Sequence, residues 1–150
     1  MAVIEHARNV AGINAANSTE MDETCGDPVI SIMEEQKTIE DKGGTMRLGA
    51  WKCALTNDSL VAKVYQAKEI EERHRHRYEF NDAYRKTLED SGLKATGINP
   101  ETGLVEVVEN PAHPWFVGVQ YHPEYKSTVL NPHPLFISFV EASLAYYHGK

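Results

Sequence analysis

The sequence predicts an α/β domain, and three stretches carry that reading. Residues 115–119, Trp-Phe-Val-Gly-Val, form an apolar run of strand length that stops at His122-Pro123-Glu124. Proline offers no N–H to a ladder and fixes its own φ, so the strand ends there. Residues 134–147 open on Pro134 and set Leu135, Phe136, Phe139, Val140, Ser143, Leu144 and Tyr147 on one helical face. Residues 2–12 set Ala2, Val3, Ile4, Ala7, Val10 and Ala11 on a helical stripe closed by Gly12. The chain enters that stripe with no cap and no preceding strand. A buried helix as first element predicts a domain incomplete at its N-terminal side.

Between these stretches the pattern is mixed. Residues 13–28 read as a polar loop, and residues 29–33 as a short strand. Residues 34–44 are charged and end in Gly43-Gly44, a loop composition. Residues 45–55 read as a strand with apolar positions at Met46, Leu48 and Ala50 and then at Cys53 and Leu55, and an irregularity near Gly49. The turn Thr56-Asn57-Asp58-Ser59 can cap a helix from Leu60 to about Gln66, and Asn81 caps another that stops at Gly92. Residues 95–98 and 104–109 form a hairpin around Asn99-Pro-Glu-Thr-Gly103, with Glu106 and Glu109 alternating against valines.

At 150 residues, the chain can enclose one real core. Its net charge of -7 disfavours nucleic acid and anionic membrane as partners. No apolar run approaches the ~18 residues that span a bilayer. Glu5, His6 and Arg8 interrupt the first ten residues, so no secretory leader is expected. Two cysteines, Cys25 and Cys53, make neither a disulfide framework nor a metal cluster, and a reducing, cytoplasmic setting is expected.

His122 is the first candidate for chemistry. It stands at the C-terminal end of a strand, where α/β sheets bind ligands, with the Glu124 carboxylate two residues on. Such a pair can act as a general base and its orienting acid. The plainer alternative is a turn histidine beside a solvated glutamate. The run from Glu72 to Glu79 is the second candidate. Strand alternation sets Arg73, Arg75 and Arg77 on one face, suited to carboxylate or phosphate, and His74, His76 and Tyr78 on the other. The plainer alternative is a surface strand paired with acids elsewhere. Zinc on His74 and His76 lacks further ligands at suitable spacing, and no metal is expected. Neither cysteine suits a nucleophile: Cys25 lies in a loop beside Asp27, and Cys53 lies in an apolar strand. No Gly-x-Ser-x-Gly elbow is present.

The segment Gly118-Val-Gln-Tyr-His-Pro-Glu124 resembles the His-Pro-Glu segment of the class I (triad) glutamine amidotransferases. Ala2-Val-Ile-Glu-His-Ala-Arg-Asn9, Ala16-Asn-Ser-Thr-Glu20, Gly44-Thr-Met-Arg-Leu-Gly49 and Glu72-Arg-His-Arg-His-Arg-Tyr-Glu79 are similar, in order, to segments of the C-terminal glutaminase domain of the CTP synthase family. The resemblance covers essentially the whole chain.

It implies a three-layer sandwich, a mostly parallel sheet with flanking helices. It implies attack of a cysteine thiolate on L-glutamine, with ammonia passed to a separate synthase domain that aminates UTP to CTP. Within the resemblance, His122 matches the general acid/base and Glu124 its orienting residue. Arg77 matches the arginine on the glutamine α-carboxylate, and Glu20 the acid on its α-ammonium. Thr45 and Arg47 match a lid loop linked to activation by GTP; flanking glycines suit a mobile lid. The nucleophile of the family lies on a Gly-x-Cys-x-Gly elbow before the helix that begins this chain. The implied whole is a homotetramer that uses ATP and Mg, with GTP as activator. No cofactor is implied within these 150 residues, and the chain alone is expected to be inactive.

Overall fold

The structure, a computed structural model, describes residues 1–32 and 46–149. Helix α1 (Ala2–Asn9) buries Val3, Ile4, His6 and Ala7. It ends at Asn9, and beyond it the chain turns at Gly12, whose φ of 74° is a left-handed angle that favours glycine. Strands β1 (Ala16–Ser18), β2 (Asp27–Ser31) and β5 (Glu79–Phe80) form a small sheet in the order β1-β2-β5. Strands β3 (Arg47–Leu55), β4 (Glu69–His76), β6 (Lys94–Ile98), β7 (Val105–Glu109) and β8 (Val117–Val119) form a larger one in the order β4-β3-β6-β7-β8. Helices α2 (Leu60–Tyr65), α3 (Arg85–Asp90) and α4 (Pro134–His148) complete the described elements, with 3-10 turns at Asp82–Tyr84 and Pro123–Lys126.

Two apolar cores place the larger sheet between layers. Val3, Ile4, Ala7, Val29, Phe80 and Leu88 pack with Val105 and Val108 on one side. Val61 and Leu135 pack with Cys53, Leu55, Ile70, Val107 and Tyr121 on the other. The α/β class with flanking helices is therefore the observed one. Strand direction differs from the expectation of a mostly parallel sheet. Only β1 and β2 pair in parallel; the other described ladders are antiparallel. For β6 and β7 the connection explains the direction, because a parallel neighbour joined across the sheet needs a crossover of about a dozen residues or more. The β6–β7 link is instead a tight turn, in which Asn99 Oδ1 accepts the N–H groups of Glu101 and Thr102.

Three other local readings shift. Residues 16–18, read as loop, form β1, too short for alternation to reveal. In β3 the sides are reversed only before Gly49: Arg47 is buried and Leu48 is 61% exposed, whereas Cys53 and Leu55 are buried as expected. The strand passes through Gly49 at φ 86° without losing register. The predicted apolar face of α4 is largely uncovered, with only Leu135 buried and Phe139 52% exposed. Trp115 holds that helix by an Nε1–H donated to Ser138 Oγ (2.8 Å) and by an edge contact with Phe139.

Within the 56–59 turn the cap is Ser59, whose side chain accepts the Ala62 N–H, and Asn81 caps as expected, its side chain accepting the Ala83 N–H. The buried Glu109 carboxylate accepts the Leu60 and Val61 N–H groups (3.0 and 2.9 Å), joining β7 to the start of α2. Negative charge is favourable at a helix N-terminus.

Candidate active site

The chain leaves β8 through Gln120 and Tyr121 and reaches His122. Its N–H donates to the Arg73 carbonyl (2.9 Å), tying the strand end to β4. Pro123 opens the 3-10 turn, and the Tyr125 N–H donates back to the His122 carbonyl (3.1 Å). Lys126 Nζ fastens the turn to the Glu71 carbonyl. The turn brings Glu124 Oε1 to 2.7 Å from His122 Nδ1. With Nδ1–H as donor, Nε2 keeps its lone pair, so the carboxylate sets both tautomer and ring orientation. The same bond holds the Glu124 carboxyl below its ordinary range. The His122 side chain is 35% exposed, open enough to exchange a proton with a ligand.

Glu20 and Arg77 meet in one cavity of about 600 Å³, also lined by Ser18, Met46, Arg75 and Gln120. Ser18 Oγ accepts the Glu20 N–H (3.2 Å) just past the end of β1. Arg77 follows the end of β4 and is exposed. An acid and a guanidinium in one cavity suit a ligand with an ammonium and a carboxylate. His122 and Glu124 do not line it. Gln120 links the two places: it lines the cavity, lies two residues before His122, and donates its Nε2–H to the Tyr78 carbonyl (2.9 Å). Gln120 was not singled out from the sequence, because strand-end polarity alone carries no signal of a cavity wall.

Thr45 lies outside the described residues. Arg47 does not sit on an open loop here. It is 7% exposed at the first position of β3, with Nη2 2.6 Å from Glu106 Oε1 and Nη1 3.4 Å from Glu79 Oε1. Burial raises both carboxyls, Glu79 to about 7, and Arg47 opposes the rise. His74 and His76 join this cluster through a 2.7 Å contact between Nδ1 and Nε2. Burial, then the Arg47 charge, lowers His74 to about 3 and His76 to about 4. The face alternation read for the run is the one observed, with Arg73 and Arg75 exposed and His74 buried.

His74, His76 and Glu106 offer ligand atoms within 4.8 Å of one another. Chain spacing could not reveal this, since Glu106 comes from a different strand. A cation already serves the cluster, because Arg47 is bonded to Glu106. Cys53 is fully buried, and burial with the nearby Glu106 charge pushes its thiol up to about 12. That agrees with Cys53 as a core residue and not a nucleophile.

Comparison with known proteins defines the class. A family model described as glutamine amidotransferase class-I matches residues 2–142, and the chain belongs to that family. At finer grain it is similar to CTP synthases. It is 64% identical to that of Flavobacterium psychrophilum over 146 residues, which are 97% of this chain and 27% of the relative. It is 60% identical to that of Bacteroides fragilis over 141 residues, 94% of this chain and 26% of the relative. Among solved structures it is similar to the Trypanosoma brucei CTPS glutaminase domain with bound acivicin. The TM-score is 0.88 at 39% identity, covering 95% of this chain and 56% of that one. The chain thus spans about a quarter of the length of the curated relatives it matches.

Proposed function

We propose that this chain is the C-terminal part of the glutaminase domain of a CTP synthase. In that reading it helps release ammonia from glutamine for the ATP-dependent amination of UTP. The observation that carries the reading is the His122–Glu124 pair at 2.7 Å, in a chain whose Glu20 and Arg77 share one cavity. The similarity to CTP synthases supports it.

Arg77 takes the α-carboxylate of glutamine, and Glu20 its α-ammonium. A cysteine thiolate upstream of these residues attacks the side-chain amide carbon. His122 Nε2 accepts the thiol proton and returns it to the leaving nitrogen, so ammonia departs and a glutamyl thioester remains. Water then attacks the thioester with His122 as base again, the C–S bond breaks, glutamate is released and the thiol is regenerated. Glu124 holds the ring and stabilises the imidazolium formed in each step.

ATP and Mg act in the synthase domain, outside these residues, and GTP acts as activator through the loop that includes Thr45 and Arg47. The described surroundings of Arg47 fit a supporting role: its guanidinium is spent on Glu79 and Glu106. The whole enzyme is a cytoplasmic homotetramer in this reading. No described helix is long and apolar enough to cross a membrane.

Two assays test the proposal. The full-length protein should form CTP from UTP, ATP and glutamine, and the purified 150-residue chain should release no glutamate. Glutamine hydrolysis by the full-length protein without UTP amination would assign it to another triad amidotransferase or a gamma-glutamyl hydrolase. Glutamate release by the isolated chain, abolished by Cys25→Ser or Cys53→Ser, would place the nucleophile inside it.

A further inference from the structure

The His122 imidazole has a second neighbour besides Glu124. The Tyr125 ring stacks on it, with centroids 5.0 Å apart and planes 20° from parallel. The backbone produces this contact. In a 3-10 turn, side chains three residues apart eclipse each other. His122 and Tyr125 stand at that spacing, and the Tyr125 N–H bond to the His122 carbonyl closes the turn between them. Pro123 fixes the entry φ. Tyr125 itself is 45% exposed, so its ring is not held there as core filling.

We propose that Tyr125 is a positioning residue for the reaction of His122. Glu124 bonds one edge of the imidazole and leaves the ring free to swing about that bond. The Tyr125 face removes this freedom, because the two planes are held nearly parallel. A π face also attracts the cation formed when His122 takes the thiol proton. The contact therefore strengthens as the imidazolium develops, when it lowers the barrier and not merely the ground state. Tyr125 touches neither glutamine nor the thiol in this scheme. The inference rests on His122 as general base, the reading proposed above.

The test has a spectroscopic arm and a kinetic arm. In NMR spectra of the 150-residue chain, the His122 ring protons should be displaced upfield and show contacts to the Tyr125 ring. Tyr125→Phe should keep that displacement and Tyr125→Leu should remove it. In the full-length protein, Tyr125→Leu should lower kcat for glutamine-dependent CTP formation about fivefold, the order expected from one lost stacking contact. KM for glutamine should stay within about twofold, and Tyr125→Phe should restore kcat. No upfield displacement in the unmodified chain would overturn the inference without reference to any variant. So would a Tyr125→Leu enzyme with unchanged kcat, or a Phe variant as slow as the Leu one. An unmodified full-length protein without glutaminase activity would instead remove the functional reading, while the spectra still judged the stacking.

Discussion

Residue by residue, the site is a set of opposed electrostatic solutions. His122 is left accessible and given one carboxylate, so its free nitrogen can exchange a proton. His74 and His76, a short distance along β4, face Arg47 and are held neutral by burial. Cys53 is likewise unreactive: a thiol pushed up to about 12 carries almost no thiolate at neutral pH. Alkylation of the folded chain at pH 8 should therefore modify Cys25 and spare Cys53 until denaturant is added. Mass spectrometry of the alkylated peptides checks this, and prompt labelling of Cys53 would contradict the burial assigned to it. His122, Glu124, Glu20 and Arg77 were legible in sequence because they sit in short motifs that the family resemblance identifies. The Arg47–Glu79–Glu106 cluster was not. Its members lie 32 and 59 positions apart, and no local pattern joins them.

The elements show where local patterns compete with partners. At the start of β3, Met46, Leu48 and Ala50 look like the inward face, yet Arg47 turns inward. Burying two carboxylates without a cation would cost several kcal/mol, more than exposing a leucine, worth about 2 kcal/mol. In β7, every residue from Val105 to Glu109 is buried, the two glutamates included: Arg47 pairs with Glu106 through Oε1, and the α2 N–H groups bond Glu109. Close packing of β6 on β7 depends on Gly97. A Cβ there would stand 2.6 Å from Val107 Cγ2 and 2.7 Å from Cys53 Sγ, both in the core. Gly97→Ala should destabilise the chain by about 1–3 kcal/mol through overpacking. A urea unfolding curve with an unchanged midpoint would mean that β6 and β7 are less tightly packed than described. The hairpin itself was legible from Asn99 and Gly103. Strand directions were not, because neighbours are chosen by connection length and by the whole sheet.

Across the whole molecule, the buried histidines tie folding to pH. Free imidazole titrates at 6.5, whereas His76 in the fold takes a proton only near 4. Between those values the unfolded chain binds a proton that the folded chain refuses. The His76 contribution is thus complete above pH 6.5 and is lost as pH falls toward 4. Glu79 works the other way. Its carboxyl, ordinarily at 4.5, is held near 7, so its contribution is lost as pH rises through that interval. His76→Gln should flatten the fall of stability between pH 6 and 5 by about 1 kcal/mol per pH unit. Urea unfolding at the two pH values measures it, and an unaltered slope would show that His76 is not held neutral.

The exposed apolar face of α4 marks the scale at which sequence reasoning stopped short. Periodicity revealed the helix and its face, but periodicity cannot say what covers that face. Function is most directly accessible at His122, in the full-length protein. His122→Ala should abolish CTP formation from glutamine, lowering it at least about 100-fold by loss of the general base. CTP formation from added ammonia should continue near the unmodified rate, since amination does not use this histidine. Retention of glutamine-dependent synthesis within a fewfold of the unmodified protein would contradict the role assigned to His122. Equal loss of both activities would contradict the separation of glutaminase from synthase.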